Sequence, residues 1–285
     1  MDNITVYKSN ALIQAGYRLD INEQRIILSC ISQVNSNEEL LSKDTFYVSA
    51  RDLIKNWGVH PDNAYRELKK AVNNLFERYI TIDLSDDEIL KTRWISSIKY
   101  TKKNGSIEVC FAQKILPYLS QLKEQFTKYK LAHVAQMRSM YGIRLYELLL
   151  QYKHFGSREI EICWLRKQFE AEDKYKSIKD FKKRVIEPAI KDINETSDLW
   201  VKYSQRKTGR RVTHLIFEFG EKSRLAGTPG KKNKTKSKVV IDKAYVDRYA
   251  SPGLFYADAK AKLQAEPEEE KQKKYAALHA EVHSQ

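Results

Sequence analysis

"SARDLIKNWGVHPDNAYRELKKAVNNLF", residues 49–76, reads as two helices joined by a tight turn. Ser49 followed three residues on by Asp52 is a capping box, in which each side chain meets the other residue's backbone N–H, and it opens a helix over "ARDLIKNWGV". Gly58 ends that helix. His60 and Pro61 start the next, because the N–H that proline lacks has no partner in the first helical turn, and this second helix is expected to run to about Tyr79. Helix, short turn and helix make a helix-turn-helix.

Working outward, "RWISSIKYT" (93–101) and "SIEVCFA" (106–112) read as strands, joined through "KKNG", whose Asn104 and Gly105 are the strongest short hairpin signal. "YITIDL" (79–84) is expected to add a third strand. A helix-turn-helix followed by a hairpin is a winged helix. On the N-terminal side "TFYV" reads as a short strand. Before it, Ile21, Ile26, Ile27, Cys30, Ile31 and Val34 line one helical face behind a cap formed by Asp20 and Glu23.

About 110 residues further on, the order repeats. "SMYGIRLYELLLQYK" (139–153) is a helix, "REIEI" (158–162) a strand and "CWLRKQFEA" (163–171) a short helix. Ser177 and Asp180 cap a third, "SIKDFKKRVIEPAI", and "LWVKYSQRKTGRRVTHLIFEF" (199–219) alternates apolar and polar residues on both sides of a basic "KTGR" turn. The connecting segment "FAQKILPYLSQLKEQFTKYKLAHVAQM" is expected to be helix and loop. The fold class is therefore α+β, mostly α, with two tandem winged-helix domains, at 1–125 and 126–220. Residues 221–285 are expected to be a basic linker, "EKSRLAGTPGKKNKTKSK", and a partly helical or disordered tail, with helices around Pro252 and a solvated charged run, "EPEEEKQKK".

The chain has 285 residues, 51 Lys and Arg against 37 Asp and Glu, and a net charge of +14. After Gly220 there are 14 basic and 9 acidic residues, so +9 of that charge lies on the first 220. Such an excess points to a polyanion as partner. Three well-separated cysteines, Cys30, Cys110 and Cys163, fit neither a disulfide framework nor paired zinc ligands, and no apolar run has the length of a membrane span. A cytoplasmic protein with no membrane partner is expected.

In a helix-turn-helix the second helix enters the major groove. Here the second unit's helix carries Lys179, Lys182, Lys183 and Arg184, while Ile178, Phe181, Val185 and Ala189 keep an apolar spacing. Lysine and arginine in that position grip phosphates or donate to guanine. Arg206, Lys207, Arg210 and Arg211 lie at the wing tip, with no acidic residue between Lys202 and Arg211. In the first unit Asn63, Arg66, Lys69, Lys70 and Asn73 lie along the second helix, interrupted by Glu67 and Glu77, with Lys102 and Lys103 as its wing. Pro188 removes a helical hydrogen bond, so a bend near the middle of the second unit's helix is expected.

Catalytic readings are poor. The histidines, at 60, 133, 154, 214, 279 and 283, form no His-x-His and no other close pair with metal-ligand spacing on one predicted element. "GTPGKK" lacks the four-residue gap of a phosphate loop. A tyrosine nucleophile for DNA nicking has no metal cluster to polarise the phosphate. Neither cofactor, metal nor enzymatic activity is expected.

The stretches "NALIQAGYRLDINEQRIILSCIS", "MRSMYGIRLYELLLQY" and "SIKDFKKRVIEPAIKDIN" resemble the iteron-binding plasmid replication initiators, over roughly residues 5–220. The resemblance implies two winged-helix domains that bind direct repeats in the double-stranded DNA of a plasmid origin as monomers. It implies opening of neighbouring DNA, recruitment of host initiator and helicase, and copy control in which a homodimer, formed through the N-terminal domain, represses its own gene at an operator. Carried over by motif, Lys179, Lys182, Lys183 and Arg184 contact the repeat, and Lys176 touches a phosphate. Some relatives carry a leucine heptad near the N-terminus. Here Leu12, Leu19 and Ile26 keep its spacing, Gln33 does not, and three positions interrupted by Gly16 do not argue a coiled coil. A winged-helix transcriptional regulator and a nicking replication enzyme are the alternatives.

Overall fold

The structure, a computed structural model, describes residues 4–85, 87–101, 105–122 and 125–222, together with Pro267, Glu270, Lys271 and Lys274. Residues 1–227 form one compact unit and 228–285 a second. In the second unit Glu270, Lys271 and Lys274 are helical, and Lys271, within the run read as solvated, is buried. The expected linker after Lys222 and the helices around Pro252 lie outside the described residues.

The first unit begins with strand β1 (Thr5–Ser9), helix α1 (Asn10–Gln14) and helix α2 (Ile21–Ile31). Asp20 caps α2 by accepting from the Glu23 N–H at 2.8 Å, and Glu23 answers by accepting from the Asp20 N–H at 2.7 Å. Strand β2 (Phe46–Ser49) leads into α3 (Ala50–Trp57), capped reciprocally by Ser49 and Asp52. Gly58 ends α3 in the left-handed region, φ 62°, which a residue without Cβ adopts at no steric cost. Helix α4 (Pro61–Phe76) follows and stops before Tyr79, which already belongs to strand β3 (Tyr79–Asp83).

The run "RWISSIKYT" forms a strand from Ile95 onward, β5 (Ile95–Thr101), while its Arg93 ends a further strand, β4 (Ile89–Arg93), and the fully buried Trp94 separates the two. β4 pairs with β3 as a separate hairpin, whereas β5 pairs with β6 (Ser106–Phe111) as the wing. The chain thus changes sheets where Trp94 turns inward to meet Tyr17 edge-on at 4.8 Å. The wing's third strand is accordingly β2, paired along β6, and not "YITIDL".

The segment read as helix and loop contains a 3₁₀ turn (Gln113–Tyr118), strand β7 (Phe126–Lys130) and one helical turn, α5 (Ala132–Ala135). β7 pairs antiparallel with β1, Thr5 facing Lys130. Then come α6 (Met140–Leu150), β8 (Ser157–Glu161) and α7 (Ile162–Gln168). The next helix has three parts: α8 (Ile178–Phe181), a π-turn (Lys182–Ile186) and α9 (Glu187–Thr196). Strands β9 (Leu199–Thr208) and β10 (Arg211–Glu221) close the unit, with β10 between β8 and β9. Both halves share one plan: a strand before the helix-turn-helix pairs with the last strand of the wing after it. These are two winged-helix domains.

Helix α6 is the common axis, buried from Tyr141 to Leu150. Lys8 of β1 meets its Glu147 at 2.7 Å, both buried, and the Tyr129 hydroxyl donates to the same carboxylate oxygen at 2.5 Å. The Arg144 guanidinium lies 3.5 Å from the Tyr17 ring centroid and donates to Ile13 O, Ala15 O and Gln168 O at 3.2, 2.7 and 3.1 Å. Asp192 of α9 caps α6 by accepting from the Arg138 and Ser139 N–H groups. Leu12, Leu19 and Ile26, the heptad-spaced residues, are all in this core, so they form no exposed seam.

Candidate nucleic-acid interface

The helix after Ser177 is positioned from three sides. The Ser177 hydroxyl accepts from the Asp180 N–H at 3.0 Å, which sets its start. Arg166 of α7 donates to the carbonyls of Lys176 and Ser177 at 3.4 and 3.3 Å, and its guanidinium lies 4.6 Å from the Phe181 ring. Phe181, Val185, Ile186, Ala189 and Ile193 bury the inner face. On the other face Lys176, Lys179, Lys183 and Arg184 are exposed, and no acidic partner meets them among the described residues. Lys182 is different. It is half-buried and its Nζ donates to Gln205 Oε1 of the wing at 2.9 Å. Just before Pro188, where a bend is expected, the helix has a π-turn, closed by the Glu187 N–H donating to Lys182 O.

Beside this helix the wing turns at Gly209, φ 60°, the glycine-first geometry that suits a two-residue hairpin. Lys207, Arg210 and Arg211 are exposed there without an acidic partner among the described residues. Arg206 is held by Glu159 of β8, so it is partly neutralised. Seven cations with no acidic partner among the described residues, at 176, 179, 183, 184, 207, 210 and 211, thus lie on or just before this helix and on the wing that Lys182 joins to it.

The corresponding surface of the first domain is more committed to its own neighbours. Arg66 donates to Asn63 Oδ1 at 2.6 Å, and Asn73 Oδ1 accepts from the Tyr100 hydroxyl of the wing at 2.6 Å. Burial raises the Tyr100 phenol above its ordinary pKa, which keeps that proton in place. Lys69 lies 5.8 Å over the Tyr100 ring, and Lys70 is exposed and unpaired. Reading adenine through both amide atoms of Asn73 would make its Oδ1 accept from the Tyr100 hydroxyl and the base together. Lys102 and Lys103 lie outside the described residues.

Sequence reasoning overlooked Arg51 and Lys55, exposed four residues apart on α3. Their spacing on a capped helix was the available signal, since the first helix of such a motif crosses the DNA backbone. It also overlooked Tyr100 and Gln205, whose partners lie 27 and 23 residues away, and Arg166, which acts through backbone carbonyls and a ring.

Among the described residues no group of three or more His, Cys, Asp or Glu could hold a metal. Burial pushes the phenols of Tyr129 and Tyr146, and the Cys30 thiol, well above their ordinary values, so none of the three is an available nucleophile. No helix among the described residues is long and apolar enough to cross a membrane.

Comparison with known proteins gives the same architecture. The model of the initiator replication protein WH1 module matches residues 5–150, and that of the initiator Rep protein WH2 module matches residues 161–219. A replication initiation protein of Escherichia coli is 30% identical over 228 residues, covering 76% of this chain and 70% of that one. An uncharacterized 27.6 kDa protein of the same organism is 28% identical over 225 residues, covering 75% of this chain and 94% of that one. The Pi initiator protein, solved in complex with iteron DNA, superposes with a TM-score of 0.66 at 24% identity, over 78% of this chain and 98% of that one.

Proposed function

The chain belongs to the initiator replication protein family, matched in both winged-helix modules, and on that premise we propose that it starts replication by gripping direct repeats of duplex DNA at an origin. The observation that carries this reading is the ridge of seven unpaired cations on the second domain's helix and wing. Lys183 and Arg184 face base edges in the major groove, and Lys207, Arg210 and Arg211 follow the adjoining phosphates. The first domain, with Arg51, Lys55 and Lys70, positions the protein on the backbone. The Pi initiator is named as a complex with iteron DNA, and its likeness to this fold supports binding of such DNA here. Strand opening, recruitment of host initiator and helicase, cytoplasmic location and autorepression as a homodimer complete the proposal, on the strength of the family resemblance. It needs no cofactor and no strand cleavage.

Salt dependence tests it. Duplexes of about 40 base pairs, tiled across the DNA around the gene, are titrated with the full chain at several salt concentrations. Neutralising about eight phosphates, through Lys176, Lys179, Lys207, Arg210, Arg211, Arg51, Lys55 and Lys70, gives a slope of log affinity against log salt of about −7. A slope flatter than about −2, or equal affinity for every tile, contradicts the reading.

A further inference from the structure

The helix after Ser177 carries a phase slip. On a wheel of about 100° per residue, Ile178, Phe181 and Val185 centre on one direction, and Ile186, Ala189, Ile190 and Ile193 on another roughly 100° away, the angle of a single residue. All but Ile178 are buried. An uninterrupted α-helix cannot satisfy both sets. Anchored by its C-terminal half, it would turn Lys182 into the core and Phe181 out to solvent.

The π-turn over Lys182–Ile186 supplies the missing residue. It returns Phe181 to the core, moves Lys182 to the flank where Nζ meets Gln205, and ends just before Pro188, whose absent N–H would otherwise be required by Arg184 O. Such turns are rare and concentrate at functional sites.

We propose that this turn determines specificity: it hands Lys182 to the wing and directs Lys183 and Arg184 outward side by side, so it sets which cations face the base edges. The inference rests on the reading of this helix as the one that enters DNA. Lys182 is then a positioning residue, not a contact. The turn belongs to the function as well as to packing.

The test begins with a pool of randomised duplexes enriched on the full-length wild-type chain, followed by affinity for the enriched duplex relative to a scrambled one. The exchange Phe181→Lys with Lys182→Phe keeps length, composition and charge, but lets a continuous helix bury its phenylalanine. It is expected to keep its melting temperature and its scrambled-duplex affinity while losing preference by about 30-fold. A folded exchange variant with unchanged preference overturns the proposal. Single substitutions give a second measure that does not depend on the exchange folding: Lys183→Ala should lower preference about tenfold and Lys182→Ala less than about threefold. The reverse order overturns the proposal. A wild-type chain that enriches no sequence refutes instead the underlying reading of the helix as a base reader.

Discussion

Replacing Lys8 by Met leaves the Glu147 carboxylate buried with only the Tyr129 hydroxyl as partner, on Oε1, because its Oε2 has none among the described residues. Lys8 and Glu147 are 3% and 0% exposed, so water cannot substitute for the lost ammonium group. Removing one member of such a pair costs about 3–5 kcal/mol. For a compact unit of 227 residues this corresponds to a fall in melting temperature of roughly 10–15 °C. The double change Lys8→Met with Glu147→Gln removes both charges yet keeps an acceptor for Tyr129. It should recover to within about 1–2 kcal/mol of wild type. Thermal and urea unfolding of the four proteins of the cycle, followed by circular dichroism near neutral pH, measures both values. The consequence reaches the proposed interface, since α6 carries Glu147 and is capped by Asp192 from α9. A Lys8→Met protein within about 1 kcal/mol of wild type would refute the reasoning, because its premise is that the charges are uncompensated when separated.

Stability should also depend on Asp198. Burial pulls its carboxyl upward, but hydrogen bonds from His133 and Tyr146 outweigh this and hold it below its ordinary pKa. Its contribution is therefore complete above the unfolded value of about 3.9 and lost as pH falls through the lower folded value. Melting temperature measured from pH 6 to 3 should fall less steeply for Asp198→Asn than for wild type, and parallel curves would contradict the assignment. Tyr100→Phe removes the bond to Asn73, for a loss of about 0.5–1.5 kcal/mol in urea unfolding; no loss means the first wing is not fastened this way. On the second wing, Arg210→Gln should reduce the salt slope by about 0.9 and Arg206→Gln by less, because Glu159 already occupies Arg206. Fluorescence anisotropy at four salt concentrations separates the two, and equal slopes would contradict the difference.

Both helix-turn-helix units were legible because their punctuation is local. The pairs Asp20 and Glu23, Ser49 and Asp52, and Ser177 and Asp180 each act over three residues, and the structure forms all three caps. Pairing between distant segments was not legible. Nothing in "FTKYK" shows that it lies beside residues 5–9, and the four residues of β2 carry no mark of their partner β6. The break at Trp94 was hidden because the residues on either side have the same strand-like composition. Of the proposed interface, the cations could be read but their occupancy could not: Lys182, Arg206 and Asn73 meet Gln205, Glu159 and Tyr100 across more than 20 residues of chain. The phase slip before Pro188 was present in the sequence. Counting Ile186, Ile190 and Ile193 together with Phe181 and Val185 reveals it.

The most direct measurement is the affinity of the Lys183→Glu, Arg184→Glu double variant for the direct-repeat duplex that the wild-type chain prefers. Both residues are exposed, so the variant should unfold at the wild-type temperature. Two bidentate base contacts of about 1–3 kcal/mol each are replaced by repulsion, which predicts a loss of at least about 100-fold. A folded double variant that holds the repeat as tightly as wild type would contradict the account.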